Sequence, residues 1–213
     1  MFVSKRSDPG PFCGSCHAAE YGRFVLQQWG DADAAISLAR QAIEGQCAKP
    51  AAREVLGVAH YVAWAGASGA HRDESLRQAR VFLPAGPWMV FRLAGSEHTI
   101  GAVRQLLVAG ESIDQRDSNN FNALAYALER KDLAAARRLL RLGARPDAPV
   151  GHDSMPAAFL PVMLADVGGI RLMQEFRVDY TKLHFRGISA IDHARRTGNR
   201  RLIDALDPHA RAS

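Results

Sequence analysis

Apolar residues return at helical spacing through most of this chain. Between Asp31 and Gly45, the positions Ala35, Ile36, Ala39, Ala42 and Ile43 follow the i, i+3, i+4, i+7 rule of a helix that buries one face. Small residues dominate that face, so a neighbouring helix can come close. Gly30-Asp31 ends a preceding helix predicted over Ala18 to Trp29, and Asp31 or Asp33 can cap the next one. A second hairpin is predicted from Ala51–Ala65 and Ser75–Leu83, with Ala67 to Ala70 lengthening its turn and Pro84 closing it. Residues 1–17, broken by Asp8-Pro9-Gly10-Pro11, read as an irregular lead-in, and 207–213 as a frayed tail.

After Pro84 the pattern acquires a longer period. Gly110 and Gly143, Leu106 and Leu139, Leu107 and Leu140, Phe91 and Leu124, Ala94 and Ala127, and Asp114 and Asp147 all stand 33 positions apart. Several positions sharing one register argue for a structural repeat, with Asp117 to Asp147 as its best template. A degenerate unit follows over Pro149 to Tyr180. Its first helix is expected from Phe159 to Ala165 and its second from Ile170 to Phe176, with Gly168-Gly169 as the link. Pro161 must open that first helix or kink it. The glycine after the second helix is missing, Phe176 standing near its place, and the turn Val150 to Met155 is longer than a standard hairpin.

The last unit reads Gly187-Ile188-Ser189-Ala190-Ile191-Asp192-His193-Ala194, then Gly198-Asn199. Gly187 permits a turn at positive φ, Ser189 can cap a helix, and Gly198 can end it. This run resembles the Gly-x-Thr-Pro-Leu-His-x-Ala signature of ankyrin repeats, with Ser189, Ala190 and Asp192 replacing threonine, proline and histidine. The resemblance covers Pro84 to Leu206, some four repeats. Over 18–83, the Gly-Asp turn before an Ala-rich helix, Leu56-Gly57 and Tyr61 are similar to tetratricopeptide repeats. The implied fold class is all-α, an α-solenoid of helical hairpins: a lead-in over 1–17, tetratricopeptide-like hairpins over 18–83, ankyrin-like repeats over 84–206, and a tail.

Composition leaves this picture standing. The 213 residues are 47% hydrophobic and 23% charged, as in ordinary folded domains. The net charge of +5 is scattered along helices rather than clustered, which argues against a nucleic-acid partner. No apolar h-region follows Lys5-Arg6, and no run reaches the roughly 18 apolar residues of a membrane span, so a cytoplasmic protein with no membrane partner is expected.

Candidate chemistry centres on three cysteines. An odd count without an export signal points to reduced thiols. Cys13 and Cys16 have metal-ligand spacing, and His17 and Cys47 could complete a tetrahedral zinc site; the alternatives are free thiols or a thiol redox sensor using Cys13 and Cys16. The Cys-x-x-Cys-His spacing also matches haem attachment, but no surrounding cytochrome pattern supports it. The deaminase motif fails because Phe12 precedes Cys13 and no histidine lies upstream. No paired carboxylates, P-loop or dinucleotide turn appears, so an enzyme is not expected and no cofactor is required.

A protein partner is expected instead. The ankyrin resemblance implies binding across hairpin tips and the exposed side of the first helices. Here that means Trp88, Arg116, Tyr126, Glu129, Arg130, His152, Tyr180 and Arg196; Trp88 and Phe121 could equally cover the core. Arg137, Arg138, Arg141, Arg200 and Arg201 are expected on a solvated face. Bacterial proteins of this kind resemble immunity proteins that neutralise a toxin, or adaptors. A basic chain suits a toxin or effector with an acidic surface, and high Ala, Arg and Gly fits a bacterial, GC-rich source.

Overall fold

The structure, a computed structural model, describes residues 14–45, 51–84, 86, 88–92 and 98–207, with the backbone alone at 14, 15, 88 and 89. Contacts divide the chain into two units: Met1–Val90 with Ser96–Gln105, and Phe91–Gly95 with Leu106–Ser213. Among the described residues the chain is mostly helical, and no helix is long and apolar enough to cross a membrane.

The first unit holds α1 (Gly14–Trp29), α2 (Ala32–Glu44), α3 (Ala51–Gly66) and α4 (Gly69–Phe82). Each packs on the next, and α1 also packs on α3. The Asp31 side chain accepts a bond from the Ala34 amide at 2.9 Å, the expected cap of α2. The small residues act as their size suggests. Ala35, Ala39 and Ala42 are fully buried, and a Cβ on Gly22 would lie 3.3 Å from both Ala35 O and Leu38 Cβ, so α1 and α2 meet almost backbone to backbone. Gly57 fits more tightly still: a Cβ there would stand 2.6 Å from Leu83 Cγ.

Two boundaries differ from the sequence reading. α1 starts at Gly14, so residues 14–17 are helical rather than irregular. The link between α3 and α4 spans only 67–68, because Gly69, at φ +57°, makes the reversal that a longer turn would have made.

The division between units runs through α5 (Trp88–Arg92) and α6 (Ile100–Val108). The second unit continues with α7 (Ala123–Glu129) and α8 (Leu133–Arg141). A hairpin follows, β1 (Pro149–Val150) with β2 (Met155–Pro156), then a 3-10 turn at Ala157–Phe159 that leads into α9 (Leu160–Met163), and α10 (Val167–Glu175). A second hairpin, β3 (His184–Phe185) with β4 (Ile188–Ser189), precedes α11 (Ala190–Thr197) and α12 (Arg200–Leu206). Helices α7, α9 and α11 pack in sequence, as do α8, α10 and α12. Leu124, Leu128, Leu139, Phe159, Ile170, Leu172, Met173 and Leu202 lie almost fully buried in this unit.

The same backbone bonds recur at the ends of α6, α8 and α10. Gly110 N donates to Leu107 O and Glu111 N to Leu106 O; Gly143 N to Leu140 O and Ala144 N to Leu139 O; Arg177 N to Gln174 O and Val178 N to Met173 O. These are the paired bonds of a left-handed helix stop. The glycine that the degenerate unit lacks is therefore replaced by Arg177, which takes φ +65° where Gly143 takes +99°. The first-helix ends repeat it at Lys131, Ala165 and Gly198, all at positive φ. Asp132 and Asn199 then cap α8 and α12 through Ala135 N at 3.0 Å and Leu202 N at 3.2 Å.

Gly168-Gly169 is not the link. Both glycines lie in the first turn of α10, where a Cβ on Gly169 would fall 2.7 Å from Asp166 Oδ2 and one on Gly168 2.9 Å from Leu133 Cδ1. Their bareness lets the Asp166 carboxylate and α8 approach that turn. The first helix of this unit starts with the 3-10 turn at Ala157 rather than at Phe159, with Pro161 in the opening turn of α9.

Candidate partner-binding surface

Successive hairpin regions of the second unit are tied to one another. Asp114 accepts from Arg145 N at 3.1 Å and from Arg145 Nε at 3.2 Å. Gly151 N donates to Asn120 O at 2.9 Å, and Arg186 pairs with Asp153 across the two hairpin turns. The turn residues thus form a ridge whose members hold one another, with Arg145, Asp153 and Arg186 exposed and Asp114, Asn120 and Gly151 half-buried.

Tyr126 anchors the helical side of that ridge. Its hydroxyl donates to Asp117 Oδ2 at 2.5 Å, the Arg92 guanidinium stacks 4.2 Å from its ring centroid, and Phe121 lies 5.5 Å away at a tilt. Burial, then the bond to Asp117, raises the phenol pKa, so the hydroxyl stays a donor. One unit further on, Phe159 packs against Phe185 at 5.7 Å and His193 at 5.9 Å. His193 is half-buried there.

The other candidates sort by exposure. Arg116 is exposed and bridges Asn122 through the backbone. Glu129, Arg130 and Arg196 are exposed at the ends of their first helices, and His152 is exposed in the hairpin turn. Among the described residues no carboxylate pairs with Arg116, Arg130 or Arg196. The Trp88 side chain lies outside the described residues. Tyr180 does not belong to the surface: it is 2% exposed, its hydroxyl donates to Ala158 O at 3.0 Å, and burial raises its pKa. It serves the interior by satisfying a carbonyl that folding takes from water.

Sequence reasoning missed Arg92, Asp117 and Met163. Met163 occupies the register of Glu129 and Arg196, 34 positions after one and 33 before the other, and is 49% exposed. That offset was available as a signal. On the second helices, Arg137 is not merely solvated: it makes a two-pronged bond to Glu175 between α8 and α10.

At the cysteines the expectation of reduced thiols is not met. Cys16 is nearly buried on α1 and disulfide-bonded, and a sulfur so bonded offers no thiolate to zinc. Cys13 and Cys47 lie outside the described residues, and His17 is exposed. Among the described residues no three His, Cys, Asp or Glu side chains gather as metal ligands. No protein-family model matches the chain, and no curated protein does.

Proposed function

We propose that this chain is a non-enzymatic protein-interaction scaffold whose second unit is a run of ankyrin-like repeats. The observation that carries this reading is the recurrence of one bond set, at 110, 143 and 177, with helix pairs and hairpins alternating around it. Such a repeat presents a surface rather than a chemical centre. The surface residues are Arg116, Glu129, Arg130, His152 and Arg196, and the bond between Tyr126 and Asp117 fixes the turn that enters α7 beside the first of them. Three of those exposed groups are arginines that pair with no carboxylate among the described residues, which suits an acidic protein surface. The role that fits is that of a bacterial immunity or adaptor protein, neutralising or positioning its partner.

The test is affinity capture by the full chain, with the product of the neighbouring gene as first candidate, followed by titration of the captured protein. Replacing Arg116, Arg130 and Arg196 together by alanine should weaken the complex at least tenfold. Unchanged affinity would move the partner off this surface, and failure to capture any protein would remove the scaffold reading.

A further inference from the structure

We infer that the outer face of α8, α10 and α12 carries a second docking site, centred on Arg171 and Arg201, for an acidic segment of a partner protein. The positive charge that looks scattered along the sequence is gathered by the fold. These three helices hold six arginines against two carboxylates, Glu175 and Asp204, and so carry all but one of the chain's five net positive charges. They pack in sequence, each burying its apolar residues and leaving its charged ones exposed or half-buried. The site lies on the second helices rather than on the hairpin turns and first helices, so it goes beyond the surface proposed above and does not depend on it.

Arg171 and Arg201 come together at a groove of about 740 Å³ where α10 and α12 lie side by side, lined also by Asp166, Asn199 and Asp204. Both arginines are exposed, and among the described residues neither they nor Arg200 pair with a carboxylate. Asp166 is half-buried with its Oδ2 enclosed, which leaves Asp204 as the exposed carboxylate of the groove, one turn from Arg201 and not bonded to it. Helix stability does not account for this placement. Arg200 and Arg201 occupy the first turn of α12, where the positive end of the helix opposes a cation. A face kept wet for solubility alone mixes the two signs.

Charge calls for an anionic occupant, and the other side chains of the face select among anions. None of the three helices carries an aromatic ring on which a base could stack. None leaves a large apolar side chain exposed that could enter a bilayer. Glu175 and Asp204 would also lie against a continuous phosphate backbone, whereas the carboxylates of a peptide stand on separate side chains that can pass them by. Guanidinium forks match carboxylates in pairs of bonds. The face already holds one carboxylate in this way, since both terminal nitrogens of Arg137 bond the oxygens of Glu175.

The experiment uses the full chain and fluorescein-labelled octa-glutamate, followed by anisotropy at low and at physiological salt, with labelled octathymidylate in parallel. Octa-glutamate should bind saturably, more weakly as salt rises, and octathymidylate should bind less tightly. Arg171→Gln/Arg201→Gln should weaken octa-glutamate binding about tenfold, whereas Arg40→Gln/Arg80→Gln, which removes the same charge from the first unit, should change it less than about twofold. Asp204→Asn removes only repulsion and should tighten binding about threefold; it decides the matter if the double variant at 171 and 201 loses its helical circular dichroism. Absent octa-glutamate binding, or equal binding by wild type and these groove variants, overturns the proposal. So does octathymidylate binding as tightly as octa-glutamate, which would make a phosphate backbone the occupant. The variant Arg116→Ala/Arg130→Ala/Arg196→Ala separates the two surfaces: loss of octa-glutamate there, with none in Arg171→Gln/Arg201→Gln, supports the first surface and removes this one.

Discussion

Asp117 and Tyr126 are nine residues apart and share a 2.5 Å hydrogen bond that closes the turn entering α7. The other carboxylate oxygen of Asp117 accepts from Asn119 N and Phe121 N, both at 2.9 Å. One side chain therefore fixes the turn backbone and orients the aromatic ring that supports the candidate surface. Asp117→Ala removes three bonds and should cost about 2–3 kcal/mol, while Tyr126→Phe should cost about 1 kcal/mol. Urea unfolding of the singles and the double should show non-additivity, since the two share a bond; strict additivity would mean that the bond does not form.

Gly143 and Arg177 hold the same left-handed position in successive units. Gly143→Ala should lose about 1 kcal/mol, although open space surrounds the missing Cβ, because the backbone conformation itself disfavours a side chain. Arg177→Gly should be neutral or stabilising by up to about 1 kcal/mol. Thermal melts that ranked the two substitutions in the opposite order would contradict the assigned register.

Gly57 provides the contrasting case, limited by space rather than conformation. With Leu83 Cγ 2.6 Å from the added carbon, Gly57→Ala should destabilise by about 1–3 kcal/mol through displacement of Leu83 and Phe82. Gly66→Ala, near the end of the same helix with nothing within 4 Å of its missing Cβ, is the control and should leave the midpoint unchanged or raised.

His60 is buried against Phe82, ring on ring at 6.2 Å, and its Nε2 has no partner. Burial, and then the charge of Arg40, pushes its pKa below the ordinary histidine value. The unfolded chain therefore takes up this proton at a higher pH than the folded one does. Stability from neutral His60 is complete above about pH 6.5 and is lost as pH falls toward the lower folded value. Chemical unfolding between pH 7.5 and 5 should show this decline, and His60→Leu should flatten it. An unchanged slope in the variant would assign the decline to other groups.

The helical periodicity and the 33-residue offset made the element order readable, because both follow from which side chains must leave water. The register of the degenerate unit was not readable. A glycine marks a left-handed stop only when the sequence spends one there, and Arg177, Lys131 and Ala165 adopt that conformation without it. Gly168-Gly169 misled for the opposite reason, being bare to admit neighbours rather than to turn. On the surface, exposed arginines could be named from the repeat register. The fate of Tyr180 could not, since aromatic rings look alike in sequence whether they face a partner or satisfy a buried carbonyl.

The ridge of bonds from Asp114 to Arg145, Asn120 to Gly151 and Asp153 to Arg186 has a further consequence for how this half of the molecule comes apart. Each helix pair is held by those beside it, so cooperativity is passed from neighbour to neighbour. The pair α11 and α12 ends the described run of contacts and should open first. Amide exchange there should be faster than in α8 and α10, giving a gradient of protection in place of a single unfolding event.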